Sequence, residues 1–305
     1  MIDWTMPLLT IHHNTEYRYA RPVAFGEHRI MLRPRDGHDL RVLSSRLDIV
    51  PRPMRLRWIH DVFGNSVAIA TFDERAENLT FTSIVTVEHN PAEEFALTAD
   101  DPAYFYPFLY DQEEFPDLER YIEPQYSDPD GELSAWARNF LDAEAPTPTF
   151  NILSGMTHRI RETFTYRKRH EHGTQHPLDT LQTGSGTCRD YALFMIEALR
   201  RLGIAARFVS GYLFVHGDRG HGYVGGGSTH AWVQVYLPSA GWIEFDPTNG
   251  IIGTRDLVRV AVARDPRQAI PLHGTYLGPA DAFTGMEVNI SVVSVDEASE
   301  IAVEA

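Results

Sequence analysis

Three residues in the second half of the chain have the types and order of a nucleophilic triad: Cys188, His230 and Asp246. A neutral thiol is a weak nucleophile and needs a base, or surroundings that favour the thiolate. The segment Gly184-Ser185-Gly186-Thr187-Cys188-Arg189-Asp190 runs directly into Tyr191-Ala192-Leu193-Phe194-Met195-Ile196. Small residues followed by a helix-like run place Cys188 in or near a first helical turn. Unpaired N–H groups and the helix dipole favour negative charge there. His230 could serve as base and as cationic partner. Asp246 could fix the imidazole tautomer and stabilise its charge. Asn249 is the alternative third member. Asp190, two residues after the thiol, is a candidate helix-start residue or hydrogen-bonding brace. The Cys188 backbone N–H is a natural oxyanion donor, with Tyr166 as candidate second donor and Gln182 as a weaker one.

The surrounding pattern supplies elements able to position these groups. Ala231–Leu237 and Gly241–Asp246 read as strands joined by the turn Pro238-Ser239-Ala240-Gly241. Pairing across that turn would set His230, at the start of one strand, beside Asp246, at the end of the next. Arg207–Leu213 reads as a further strand. Helical patterns span Leu133–Leu141 and Ile152–Phe164, the latter with Ile152, Met156, Ile160 and Phe164 on one face. The helix carrying Cys188 ends at Arg200, Arg201 and the capping Gly203.

The first hundred residues read as short strands: Leu9–His13, Glu16–Tyr19, His28–Leu32, Ser45–Val50, Val67–Phe72, Leu79–Ile84 and Val85–Val87. Breaks such as Arg35-Asp36-Gly37 and Phe63-Gly64-Asn65 separate them, as in an antiparallel sandwich or meander. The expected class is therefore α+β. An antiparallel β domain (residues 1–100) is followed by an acidic connection (101–131) and a core (132–305). In that core the nucleophile's helix packs on an antiparallel sheet. Met286–Val295, another alternating strand, is assigned to the core.

Composition narrows the function. The chain has 305 residues, 43% hydrophobic, with a formal net charge of −15. That charge disfavours nucleic-acid binding, which requires a basic face. Eleven acidic residues lie between Asp100 and Glu132, with Arg120 the one base among them. They read as a solvated surface. A single cysteine excludes an intramolecular disulfide and any cysteine-based zinc site. It fits a reducing compartment, and Met1-Ile2-Asp3-Trp4 has no signal-peptide character, so a cytoplasmic setting is expected. No apolar run approaches the roughly 20 residues needed to span a membrane. His170, His172 and His176 read as a polar loop rather than a metal site. The glycine-rich stretch from His216 to Ser228, just before His230, is a candidate lid.

Taken together, these motifs resemble the bacterial transglutaminase-like superfamily, whose core is a papain-like cysteine enzyme. The resemblance rests on Gly186-Thr187-Cys188-Arg189-Asp190-Tyr191-Ala192 and on Leu202-Gly203-Ile204-Ala205-Ala206-Arg207-Phe208-Val209-Ser210-Gly211-Tyr212. It continues in Thr229-His230-Ala231-Trp232-Val233-Gln234-Val235 and in Gly241-Trp242-Ile243-Glu244-Phe245-Asp246-Pro247-Thr248-Asn249. His13-Asn14-Thr15-Glu16-Tyr17-Arg18-Tyr19 and Met31-Leu32-Arg33-Pro34 look like the β-rich region preceding this core in many bacterial members. The resemblance covers nearly the whole chain. It implies Cys188 as nucleophile, His230 as base and Asp246 as orienting acid, with Trp232, Asp190 and Asn249 in support. It also implies a thioester intermediate formed on a peptide or protein amide. An amine acceptor then gives transamidation, and water gives hydrolysis. Some superfamily members have lost catalysis, so a binding or scaffold protein is the alternative. The calcium of animal transglutaminases does not follow from the core motifs, and no cofactor or metal is expected.

Overall fold

The computed structural model describes residues 7–91, 95–168, 173–214, 224 and 227–294. It begins with a β region. β1 (Leu8–Phe25), β2 (His28–Ile30), β3 (Leu40–Val50), β4 (Arg55–His60), β5 (Ser66–Thr71) and β6 (Arg75–His89) are antiparallel. Period-two burial drives the two longest. Leu9, Ile11, His13 and Thr15 point inward from β1, and Leu79, Phe81, Ser83, Val85 and Val87 from β6. Pairs of short expected strands merge here into continuous ones. β4 is almost wholly exposed and lies at a sheet edge, although Arg55-Leu56-Arg57-Trp58 alternates polar and apolar residues.

The core follows. β7 (Phe105–Tyr106) pairs with β8 (Thr147–Pro148), and β9 (Thr165–Tyr166) pairs in parallel with β10 (Ser185–Gly186). The main core sheet has the order β14-β13-β12-β11-β15. Its strands are β11 (Ala206–Leu213), β12 (His230–Leu237), β13 (Gly241–Asp246), β14 (Ile251–Ile252) and β15 (Leu257–Ala263). The helices are α1 (Phe115–Ile122), α2 (Glu132–Arg138), α3 (Thr149–Thr163), α4 (Pro177–Thr183) and α5 (Cys188–Arg201). This is the expected α+β architecture, with the Cys188 helix packed on an antiparallel sheet. α5 is buried along nearly its whole length, from Asp190 to Arg200. It meets Ala206, Phe208, Ala231, Val233, Val235 and Phe245 in one apolar cluster. Gly203, at φ +74°, ends the helix in the left-handed conformation, and the Ile204 N–H reaches back to the Leu199 carbonyl.

The acidic segment, expected as a plain surface connection, carries α1 and is tied to the back of α5. The carboxylate of Glu197, on α5, accepts from the Gln125 and Tyr126 N–H groups at 3.0–3.1 Å. It also pairs with Arg200 at 2.9 Å, both side chains being fully buried. Arg200 donates further to the carbonyls of Tyr121, Ala206 and Arg264. α1 buries only Leu118, although Phe115, Leu118 and Ile122 stand at helical spacing.

The chain then returns to its start. β16 (Leu272–His273) joins β2, while β17 (Tyr276–Leu277) and β18 (Phe283–Ser294) pair with β1. The last strand therefore belongs to the N-terminal sheet, not to the core as expected from its place in the chain. β1 is paired on its other side by β6, and β18 covers the long edge left over. The N-terminal sheet and the core sheet share an apolar layer. Leu9, Ile11, Val85 and Val87 meet Tyr212, Phe214, Val258 and Val260. Within that layer His13 Nδ1 bonds the Tyr212 hydroxyl at 2.9 Å, and burial pushes the His13 pKa down to about 4.

Arg200→Ala would strand the buried Glu197 charge. We expect a loss of about 3–5 kcal/mol in stability, measured by denaturant unfolding. A loss below about 1 kcal/mol would show that the pair is not a structural tie.

Candidate active site

Cys188 is the first helical residue of α5, so its backbone N–H has no intrahelical acceptor. Local chemistry sets that start point. Asp190 Oδ2 accepts from both the backbone N–H and the hydroxyl of Thr187 at 2.8 Å. Asp190 Oδ1 accepts from the Gln175 N–H, also at 2.8 Å. Both roles considered for Asp190, helix start and brace, are thus combined in one carboxylate. Gly186 must be small, because a Cβ there would lie 2.8 Å from the Asp190 Cβ. Gln175 was not anticipated. Its side chain bonds the Ser185 carbonyl at 2.7 Å and pins the approach to the thiol.

His230 opens β12 and Asp246 closes β13, and the hairpin brings them together as expected. His230 Nε2 lies 2.7 Å from Asp246 Oδ2, with both side chains fully buried. A carboxylate only accepts, so Nε2 carries the proton and Nδ1 is left for the thiol. Nδ1 makes no hydrogen bond to another group, and Cys188 stands close enough to act on the imidazole electrostatically. Burial opposes the imidazolium. The Asp246 charge and hydrogen bond, helped by Cys188, outweigh it and raise His230 to about 10. Burial likewise opposes the Asp246 carboxylate. The His230 partner, the Asn249 amide and the Thr248 N–H outweigh it and hold the carboxyl below its usual range.

Asn249 is not interposed between His230 and Asp246. Its Nδ2 donates to Asp246 Oδ2 at 2.9 Å and lies 3.3 Å from His230 Nε2. It also holds the Val224 main chain, accepting from its N–H at 2.8 Å and donating to its carbonyl at 3.2 Å. Val224 belongs to the glycine-rich stretch expected as a lid, most of which lies outside the described residues.

Tyr166 reaches the nucleophile because β9 pairs with β10, aligning Tyr166 with Gly186. Its hydroxyl stands close enough to the Cys188 side chain for the two to interact electrostatically. Burial first, then the nearby thiol, raises its pKa, so the phenol stays protonated and able to donate. Gln182 is exposed, bonds Glu132 at 3.2 Å and is not brought to the site. Trp232 is buried, with its ring stacked on His230. Arg189, also not anticipated, folds back over the Phe208 ring and bonds the Pro266 carbonyl at 2.7 Å, anchoring the first turn from behind. His176 caps α4 by accepting from the Leu178 N–H, while His170 and His172 lie outside the described residues. Among the described residues no group of three or more His, Cys, Asp or Glu gathers to hold a metal, and no helix is long and apolar enough to cross a membrane.

Residues 9–88 match the bacterial transglutaminase-like N-terminal region, and residues 135–247 match the transglutaminase-like superfamily. An uncharacterized protein of Mycobacterium tuberculosis is 30% identical across 96% of this chain and 94% of its own length. The chain belongs to the transglutaminase-like superfamily. A candidate cysteine protease from Cytophaga hutchinsonii shares this superfamily member's fold, with a TM-score of 0.69 at 19% identity over 95% of this chain and 91% of that one. A shorter match joins the superfamily member to a protein-glutamine gamma-glutamyltransferase of Pseudomonas aeruginosa. It is 41% identical over 68 residues, 22% of this chain and 10% of the other.

The pair of shifts fixes a pH window for stability. His230 is raised above its ordinary value of 6.5, so its contribution is complete below about 6.5 and is lost as pH rises toward 10. Asp246 is depressed, so its contribution is present above 3.8 and lost as pH falls. Asp246→Asn should therefore destabilise by about 3 kcal/mol near pH 6, a deficit that shrinks as pH rises toward 10. Thermal unfolding at both pH values checks this; a deficit that grows with pH would contradict the assignment.

Proposed function

We propose that the chain is a cysteine-dependent acyl-transfer enzyme acting on peptide or protein amides. The observation that carries this reading is the buried 2.7 Å His230–Asp246 contact, with Cys188 facing the ring from the first turn of α5. Superfamily membership supports it.

In this mechanism the Cys188 sulfur, as thiolate, attacks the amide carbon. Charge develops on the carbonyl oxygen, where the Cys188 N–H and the Tyr166 hydroxyl are the candidate donors. As the C–N bond breaks, the His230 imidazolium passes its Nδ1 proton to the departing nitrogen. Ammonia leaves from a glutamine side chain, or an amine from a peptide bond, and a thioester remains on Cys188. The imidazole, now neutral at Nδ1, takes a proton from the incoming nucleophile as that nucleophile attacks the thioester carbon. Water gives the acid, and an amine gives a new amide. The thiolate leaves and the imidazolium is restored. Asp246 holds Nε2–H throughout, so the ring keeps its tautomer and plane.

The two outcomes share every step up to the thioester, and the residues named here serve both. Amine incorporation into a glutamine-containing protein, measured beside ammonia release, separates them. Cys188→Ser should lower either activity by at least about a thousandfold while leaving the unfolding midpoint within a few degrees. Preserved turnover in that variant would end the assignment of Cys188 as nucleophile. Tyr166→Phe should lower turnover about ten- to a thousandfold, with little change in substrate affinity.

A further inference from the structure

The catalytic histidine has a partner that the triad does not need. The Trp232 indole lies against the His230 ring, with centroids 6.0 Å apart and planes 30° apart. Its Nε1 donates to Glu244 Oε2 at 2.7 Å. Glu244 is buried and also accepts from Gln234 Nε2 at 2.7 Å and from Arg259 Nη1 at 2.8 Å. Arg259 then turns Nη2 to both carboxylate oxygens of Asp39, at 3.0 and 3.2 Å. Asp39 is buried and comes from the N-terminal β region, one residue before β3.

Three further features fit the chain of contacts. Gly211 pairs with His230 on one side and with Arg259 on the other. A Cβ at that position would stand 2.2 Å from the Val258 carbonyl oxygen and 2.6 Å from the indole, so glycine makes room for Trp232. Phe63, also from the N-terminal region, packs against the apolar cluster that contains Trp232. Asn65, two residues later, bonds the Val262 main chain in both directions, at 2.7 and 2.9 Å.

We infer that the N-terminal β region braces the catalytic histidine, with Asp39 acting through Arg259, Glu244 and Trp232 as a positioning residue. The inference rests on the proposed role of His230. Its physical basis is orientation. An imidazole that must face a thiol on another element loses efficiency when its plane can tilt. An indole fixed at its N–H by a carboxylate, closely approached by Gly211 and held in the apolar cluster that Phe63 joins, blocks that tilt. Burial alone raises the Glu244 pKa, and the Arg259 guanidinium opposes the shift. Arg259 thus favours the charged acceptor, and Asp39 holds Arg259 in place. A charged acceptor holds an N–H more firmly than a neutral one. Nothing in this arrangement requires the N-terminal region to touch substrate.

The test is a double-mutant cycle read by iodoacetamide labelling of Cys188 at pH 6.5, using the full chain. Wild type, Asp39→Asn, His230→Ala and the double variant are compared, with unfolding midpoints recorded alongside. We expect Asp39→Asn to slow labelling about three- to tenfold in the wild-type background and to have no further effect beside His230→Ala. Asp39→Glu should restore part of the rate. Labelling of Asp39→Asn within about twofold of wild type, or an equal slowing in both backgrounds, would reduce Asp39 to an interdomain tie and overturn the inference. If His230→Ala labels as fast as wild type, the catalytic reading fails and the inference with it. A slow His230→Ala beside an unaffected Asp39→Asn sinks the brace alone. Should Asp39→Asn not fold, Trp232→Phe keeps an aromatic ring and removes the N–H. The same cycle then applies: slowing confined to the His230 background supports the brace, and unchanged or equal rates overturn it.

Discussion

Everything at this site depends on keeping a buried imidazole charged. Taking a cation out of water is costly, and His230 is fully buried. Asp246, at 2.7 Å and equally buried, offsets that cost and dictates which ring nitrogen faces the thiol. The carboxylate in turn needs donors beyond the imidazole. The Thr248 N–H and the Asn249 amide supply them from the turn that follows β13. The Asp-Pro-Thr-Asn segment is therefore both a turn and the lower half of the site.

The rest of the fold brings a helix start to that pair. α5 is buried along most of its length, so Cys188 cannot move without disturbing the core. Its N-terminal end is fixed by Asp190, Gln175 and Arg189, and its far end by the Glu197–Arg200 pair and the segment those residues hold. Two carboxylates on one helix thus serve unlike ends: Asp190 organises the turn that presents the thiol, and Glu197 fastens the segment carrying α1. The N-terminal region adds an apolar layer against Tyr212, Phe214, Val258 and Val260, and its Asp39 completes the buried Asp39–Arg259–Glu244 chain on the face that bears Trp232. Both faces of the sheet bearing His230 are covered.

Much of this was legible in the sequence, for definite reasons. Cys188 stood at a junction of small residues and an apolar run. His230 and Asp246 sat at the ends of two strands joined by a four-residue turn, so one hairpin was enough to bring them together. Spacing alone could not choose between Tyr166 and Gln182: Gln182 is the nearer to Cys188 in sequence, yet it faces solvent. α4 escaped because it is short and buries few side chains, whereas α1 carries Phe115, Leu118 and Ile122 at helical spacing but within an acidic, proline-rich run that reads as a connection. The last strand was placed with the wrong sheet because alternation gives a strand's faces and not its partner. The Asp39–Arg259–Glu244 chain was beyond reach for the same reason: 220 positions separate Asp39 from Arg259, and only the folded topology joins them.

The central claim is that His230 stands as an imidazolium beside the thiol under working conditions. Nitrogen-detected NMR of the His230 ring at pH 8 tests it directly. With Asp246 in place, both ring nitrogens should carry protons at that pH, and the ring should titrate only as pH approaches about 10. A neutral ring at pH 8, titrating near the ordinary 6.5, would mean that the buried carboxylate does not hold the charge, and the account of the site would fail.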